Sequence, residues 1–339
     1  MAFRMTLAIA LAGATMVAPM HAEDKVNYHL TKKVPIATDG GFDYLAVDDA
    51  GRRVFVSHQT EVEVFDLDSN TFVGKVDGML RVHGIVAVPQ YGHGFITSGG
   101  NSTVKMFDLK TLASLKDIPA PGGPDGILFE PKTDRVFAFD HKQGHVTVIN
   151  AKDGSVAGGI EIGGTPEFPA TDQDGSVWVG LEDESKLVKI DAATMKVVQT
   201  MPLAPCDGPT GMDMDRKNRR LFIGCGNEKM AVVDADKGTV VTTAPIGVHV
   251  DATWFDPETK LVFNANRATI TVIRQKDKDT YEVVQTIQTL GHANTLAIDH
   301  KNHRVFAATA MFKTEPATNG GKATETALPG TSALLIYEP

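Results

Sequence analysis

Cysteine is almost missing from this chain: 339 residues hold two, Cys206 and Cys225. They have no C-x-x-C spacing, so a redox pair or covalent haem attachment is not expected. Basic excess is missing as well. Lys and Arg number 33 against 42 Asp and Glu, for a formal net charge of −9 and a pI near 5.6. That balance disfavours a nucleic-acid footprint, which needs a basic face, and docking on anionic lipid. No G-x-S-x-G elbow is present, nor a Gly-rich phosphate loop or dinucleotide fingerprint. Beyond the N-terminus no run approaches the roughly 18 apolar residues of a membrane span. Helical periodicity is missing too, outside that same N-terminal segment.

What is present begins with a leader. Arg4, a short apolar run over residues 6–17, and Pro19-Met20-His21-Ala22 read together as a secretory signal over residues 1–22. The competing reading is a buried N-terminal helix. Residues 23–339 are taken as one domain, expected to be periplasmic or secreted. In such a compartment the even cysteine count favours a Cys206–Cys225 disulfide, with two reduced thiols near a metal as the alternative.

A pattern recurs through that domain. It appears as DYLAVDDAGRRVFV from Asp43, HGIVAVPQYGHGFI from His83, DGILFEPKTDRVFA from Asp125 and EFPATDQDGSVWV from Glu167. It returns as TGMDMDRKNRRLFI from Thr210, DATWFDPETKLVFN from Asp251 and NTLAIDHKNHRVFA from Asn294. The starts differ by 40, 42, 42, 43, 41 and 43. A period in the low forties with four strands per unit predicts an all-β, seven-bladed propeller. Third strands are expected over 62–66, 104–108, 146–150, 187–191 and 230–234, and fourth strands over 197–201 and 240–246. The last unit lacks a fourth strand, and residues 28–36 supply a spare one. Pairing 28–36 with 333–337 would close the ring and cover both open edges.

Several second and third strands resemble the YVTN-repeat, or YncE-like, propeller family. Val54-Phe55-Val56-Ser57 with Val62-Glu63-Val64-Phe65-Asp66 carries the likeness, as does Phe95-Ile96-Thr97-Ser98 with residues 103–108. Phe137-Ala138-Phe139 with residues 146–150, and Leu221-Phe222-Ile223-Gly224 with residues 231–234, repeat it. The likeness spans residues 43–310, with Phe or Trp178 in place of the family's Tyr. It implies the propeller fold. It brings in periplasmic binding proteins, surface-layer proteins, lactonase-like relatives and single-stranded DNA binding, and fold analogy does not choose among these.

The repeat places Asp43, His83, Asp125, Glu167, Thr210, Asp251 and Asn294 at equivalent points around one channel mouth. His249 and His292 stand two residues before that position in consecutive blades. Loops after the second strands add His58, Asn101, His141, Glu182, Asp183, Asn227, Asn266 and Arg267. The ligand-binding set is therefore Asp43, His83, Asp125, Glu167, Thr210, Asp251, Asn294, His249, His292 and Arg267. The candidate metal ligands are His83, Glu167, Asp251 and His292, because imidazole with carboxylate suits Zn²⁺ or Mn²⁺. The alternative is a hydrated polar tunnel whose side chains cap local backbone. Residues 311–331, rich in Gly and Pro, are expected to be an irregular lid or a disordered loop on the same face. Turns at 49–51, 132–134 and 217–219 on the opposite mouth look like ordinary solvated hairpins. The functional expectation is an exported, monomeric binding scaffold for a small molecule, divalent metal ion or partner protein. Alternatives are a metal-dependent, lactonase-like hydrolase and, from the family likeness, a single-stranded DNA binder.

Overall fold

A strand that is the second or third of four in a blade has a neighbouring blade on each face, so it must be apolar on both. The computed structural model, which describes residues 26–315 and 324–339, shows that consequence directly. Seven four-stranded antiparallel sheets form a propeller ring. In the first blade the strands Phe42–Asp48, Arg53–His58, Glu61–Asp66 and Phe72–Val76 run from the channel outward. Its second and third strands are buried almost end to end, while the outermost is mostly exposed. The third strands expected from 62–66, 104–108, 146–150, 187–191 and 230–234 each begin one residue earlier than predicted. The export segment predicted over residues 1–22 lies outside the described residues.

One aromatic per blade anchors the second strand: Phe55, Phe95, Phe137, Trp178, Phe222, Phe263 and Phe306, all fully buried. The core is accordingly not one central mass but a ring of layers, each between two blades. Phe55 packs with Ile96 and Phe107 across the first and second blades, and Phe137 with Val177 and Val188 across the third and fourth. Truncating such a ring costs on the order of 3–5 kcal/mol, as for large-to-small changes in other cores.

Turns between third and fourth strands repeat one device. Asp66, Asp108 and Asp191 each accept hydrogen bonds from the backbone N–H and hydroxyl of the Ser or Thr three residues on. Those donors hold the three carboxyls below their ordinary range.

The ring closes as predicted. His29–Pro35 pairs antiparallel with Ala333–Glu338, which pairs in turn with Arg304–Thr309 and, through it, with the innermost Leu296–Asp299. A charge cluster seals the seam between the last and first blades. Asp299, its side chain 0% exposed, binds Arg52 at 2.7 Å and Arg304 at 2.7 Å. Asn302 donates to it as well, at 3.0 Å.

Residues 311–331 depart from the expected irregular loop. Phe312–Glu315 pairs with Thr324–Ala327 as a hairpin, and the Gly- and Pro-bearing tip lies outside the described residues. The flanks are rich in Thr with one Phe, residues that favour extended backbone.

Candidate functional site

Five of the seven innermost strands break register at one place. The irregularities fall between Phe42 and Leu45, Val82 and Ile85, Pro124 and Ile127, Pro166 and Pro169, and Pro209 and Met212. Asp43, His83, Asp125, Glu167 and Thr210 each sit at this bulge, the kind of irregularity that re-aims a side chain. Just below the ring position, Gly84 and Gly126 let adjacent strands approach. A Cβ at Gly84 would lie 2.8 Å from the Asp125 carbonyl, and one at Gly126 2.9 Å from that of Glu167.

The side chains form a belt of alternating acid and imidazole over the first four blades. His83 Nδ1 lies 2.5 Å from Asp43 Oδ2 and 3.6 Å from Asp125 Oδ2. His141 Nδ1 lies 3.0 Å from Glu167 Oε1. Two groups offer ligand atoms mutually within 4.8 Å: Asp43, His83 and Asp125, and His141, Glu167 and Glu182. Tyr44 stacks on Phe168 at 4.3 Å between ring centroids, flooring the belt beside Asp125.

The electrostatics are those of a site with too much negative charge. Asp251 is pushed well above the carboxylate range, first by burial and then by Asp43, Glu167, Asp125 and Glu182. Burial also raises Asp125 and Glu167, and mutual repulsion adds to it against the neighbouring imidazoles. Burial pulls His83 down, but the Asp43 hydrogen bond and the charges of Asp125 and Asp43 prevail and raise it. The Glu167 hydrogen bond lifts His141 to about 9. Tyr44 is raised by burial and by the same carboxylates, so it stays neutral.

The remaining ring residues divide. Thr210, Asp251, Asn294, His249 and Arg267 line a cavity of about 310 Å³ with Glu167 and Glu182. Thr210 spends its hydroxyl on the Val250 carbonyl at 3.0 Å, tying the fifth blade to the sixth. His292 stands against the hairpin instead. Its ring packs on Phe312 at 3.8 Å, and its Nε2 lies 3.0 Å from Glu325 Oε2, a carboxylate that also binds Arg267. Among the described residues, His83, Glu167, Asp251 and His292 do not form one group within ligand distance; the two triads above do. Of the loop residues, His141 and Glu182 join the belt. His58 hydrogen-bonds the Asp39 carbonyl, Asn227 braces the loop of Cys206, and Asn266 binds Asn264 and Thr271. Tyr44 was not anticipated; an aromatic directly after the ring position, shared only with Phe168 of the fourth blade while the second, third and fifth carry glycine, was its signal.

Cys206 and Cys225 are joined in a buried disulfide, with Cα atoms 5.5 Å apart, at the entry to the fifth blade. Among the described residues no helix is long and apolar enough to cross a membrane.

Known proteins add fold rather than chemistry. The model of a domain of unknown function, DUF5074, matches residues 81–210, less than half of the chain. No curated protein matches it. A solved structure described as Kuenenia stuttgartiensis hydrazine synthase is similar over 90% of this chain and 100% of its own, with a TM-score of 0.71 and 13% identity. At that identity the likeness bears on the propeller alone.

Proposed function

We propose that this propeller is an exported, monomeric binding scaffold, periplasmic or secreted, that holds a divalent cation of the Zn²⁺ or Mn²⁺ class in the Asp43–His83–Asp125 group. One observation carries the reading. Asp125, Glu167 and Asp251 crowd one mouth beside Asp43, where burial and the neighbouring carboxylates raise their proton affinity, with the imidazoles of His83 and His141 as the paired counter-charges. Protons there stand where a cation would stand, so binding a cation should release protons. Mixed imidazole and carboxylate ligands favour Zn²⁺ or Mn²⁺ over Ca²⁺, which prefers oxygen alone. The buried disulfide supports an oxidising compartment.

The test is metal analysis of the purified exported protein, then calorimetric titration of chelator-treated protein in two buffers of different ionisation enthalpy. About one ion per chain is expected, with proton release, and with affinity about tenfold lower in Asp125→Asn, the scale of a lost charged contact. Absence of stoichiometric binding, or an unchanged Asp125→Asn, rejects the reading.

A second reading is metal-dependent, lactonase-like hydrolysis. Asp251, a carboxyl with raised proton affinity, borders the 310 Å³ cavity next to the belt, where it could exchange a proton with substrate. Lactone hydrolysis that stops with chelator and falls in Asp251→Asn supports it. A cation-loaded protein inert towards a lactone panel removes it and leaves the scaffold.

A further inference from the structure

Below the stacked Tyr44 and Phe168 the channel changes character. It becomes an apolar cavity of about 310 Å³, with Leu45, Val47, Ile85, Phe129, Met212 and Trp254 among its walls. It shares Gln173, Asp213, Arg216 and Trp254 with a second cavity of about 550 Å³ at the opposite mouth. The two therefore adjoin through these side chains, and the second lies at the mouth where the turns were expected to be merely solvated. Volumes of this size are those of small-molecule sites.

The charges of that mouth are unequally committed. Asp213 accepts the backbone N–H groups of Met214 and Phe255, at 2.7 and 2.9 Å. Asp215 is held by Asn218 and Gln275. Asp49 pairs with His300 at 3.2 Å. The cations are freer. Arg216 spends its Nε on the Thr171 carbonyl at 3.0 Å, and neither it nor Lys217 forms an ion pair among the described residues. Between the exposed cations and the apolar channel stands Trp254, whose indole N–H is buried without an acceptor.

We infer that this mouth and the channel behind it bind a small organic anion with a flat aromatic body, an aromatic carboxylate or sulfonate. Its charge sits at Arg216 and Lys217, and its ring lies against Trp254 and towards Phe129. The guanidinium and ammonium groups supply the counter-charge, and the aromatic walls favour an offset-stacked ring. The direction of entry follows from the field. The acidic belt beyond Tyr44 repels an anion, so the charged end stays at the lower mouth while the apolar body leaves water.

The probe is anilinonaphthalene sulfonate, titrated while tryptophan emission is recorded. The chain has only two tryptophans, so Trp178→Phe isolates Trp254 and Trp254→Phe removes it. Saturable binding of about one probe per chain is expected, with quenching of Trp254 by energy transfer to the probe. Arg216→Gln and Lys217→Glu should each weaken binding about fivefold, the scale of one exposed charged contact. Ala87→Leu, which narrows the channel, should weaken it more. Unlabelled aromatic carboxylates should compete better than aliphatic ones of equal length. Chelator should change nothing, which separates this site from the belt. No saturable binding, binding indifferent to both charge changes, or binding lost with chelator overturns the proposal.

Discussion

The seam between the last and first blades and the acidic belt at the ring mouth use the same residue types to opposite ends. At the seam, Asp299 is fully enclosed. Burial alone would raise its carboxyl, but Arg52, Arg304 and Asn302 hold it far below the ordinary range. In the belt, Asp125, Glu167 and Asp251 are buried among one another and are raised. A carboxylate whose partners are guanidinium groups is finished by folding. One whose neighbours are carboxylates is left wanting a proton or a cation. The contrast teaches that burial of an acid is uninformative until its neighbours are counted.

Four changes probe that contrast, taken in descending order of expected effect. Asp299→Ala strands Arg52 and Arg304 and should cost about 3–5 kcal/mol of stability, read by denaturant melts, with cation binding at the belt intact. The same carboxylate sets an acid limit. Its folded-state proton affinity is depressed, so its stabilisation is present above about pH 4, the unfolded carboxylate value, and fades as pH falls further. A smaller loss in the melt than a surface substitution gives would put Asp299 in the class of the belt.

Removing the disulfide with the Cys206→Ser, Cys225→Ser pair should cost about 3 kcal/mol in the chain-entropy account. The measurement is the melting shift of this pair against wild type with and without reductant. Equal melting in both would show that the tie adds nothing.

Asp125→Asn should do the reverse of Asp299→Ala. It relieves repulsion, so the melt should hold or rise, while cation affinity drops about tenfold. The pH profile sharpens this. His141 is raised to about 9 by Glu167. Its ion pair therefore stabilises fully below about pH 6.5, the ordinary imidazole value, and is lost as pH rises through 9. Cation affinity should move the other way, strengthening as His141 and His83 lose their protons. A flat affinity between pH 6 and 9 would detach His83 from the site.

The smallest effect belongs to His249. Its φ of +56° is left-handed, and glycine fills the equivalent place at Gly41 and Gly208. His249→Gly should relieve strain worth about 1 kcal/mol, offset in part by the freer unfolded chain. The melt should stay within about 0.5 kcal/mol of wild type. Any loss of ligand binding then belongs to the imidazole, not to the fold.

The architecture was legible because the blades repeat physical requirements: an aromatic between neighbouring sheets, an exposed outer strand and, in several of them, an Asp turn. Closure by residues 28–36 was legible because an unpaired edge demands a partner. The ring positions were legible too, since one bulge recurs in the first five blades. Which side chains meet was not. His83, Glu167, Asp251 and His292 come from the second, fourth, sixth and seventh blades, and reach across a channel is not encoded in spacing. Asp43, His83 and Asp125 come from successive blades, where neighbouring inner strands touch. The hairpin at Phe312–Glu315 was hidden by the Gly and Pro of its tip. The lower cavity was hidden because Trp254 and Arg216 belong to different blades, and turns read singly look solvated.

The pairing of His29–Pro35 with Ala333–Glu338 joins the two ends of the described chain in one sheet. Among the described residues it is the strand pairing with the greatest sequence separation, so it adds strongly to contact order and, by loop-closure entropy, is expected to form late. Six blades can pair their strands locally while the seventh waits for both ends. A chain opened at an exposed turn elsewhere, with its old ends linked, would turn that last event into a local hairpin and should reach the same ring faster.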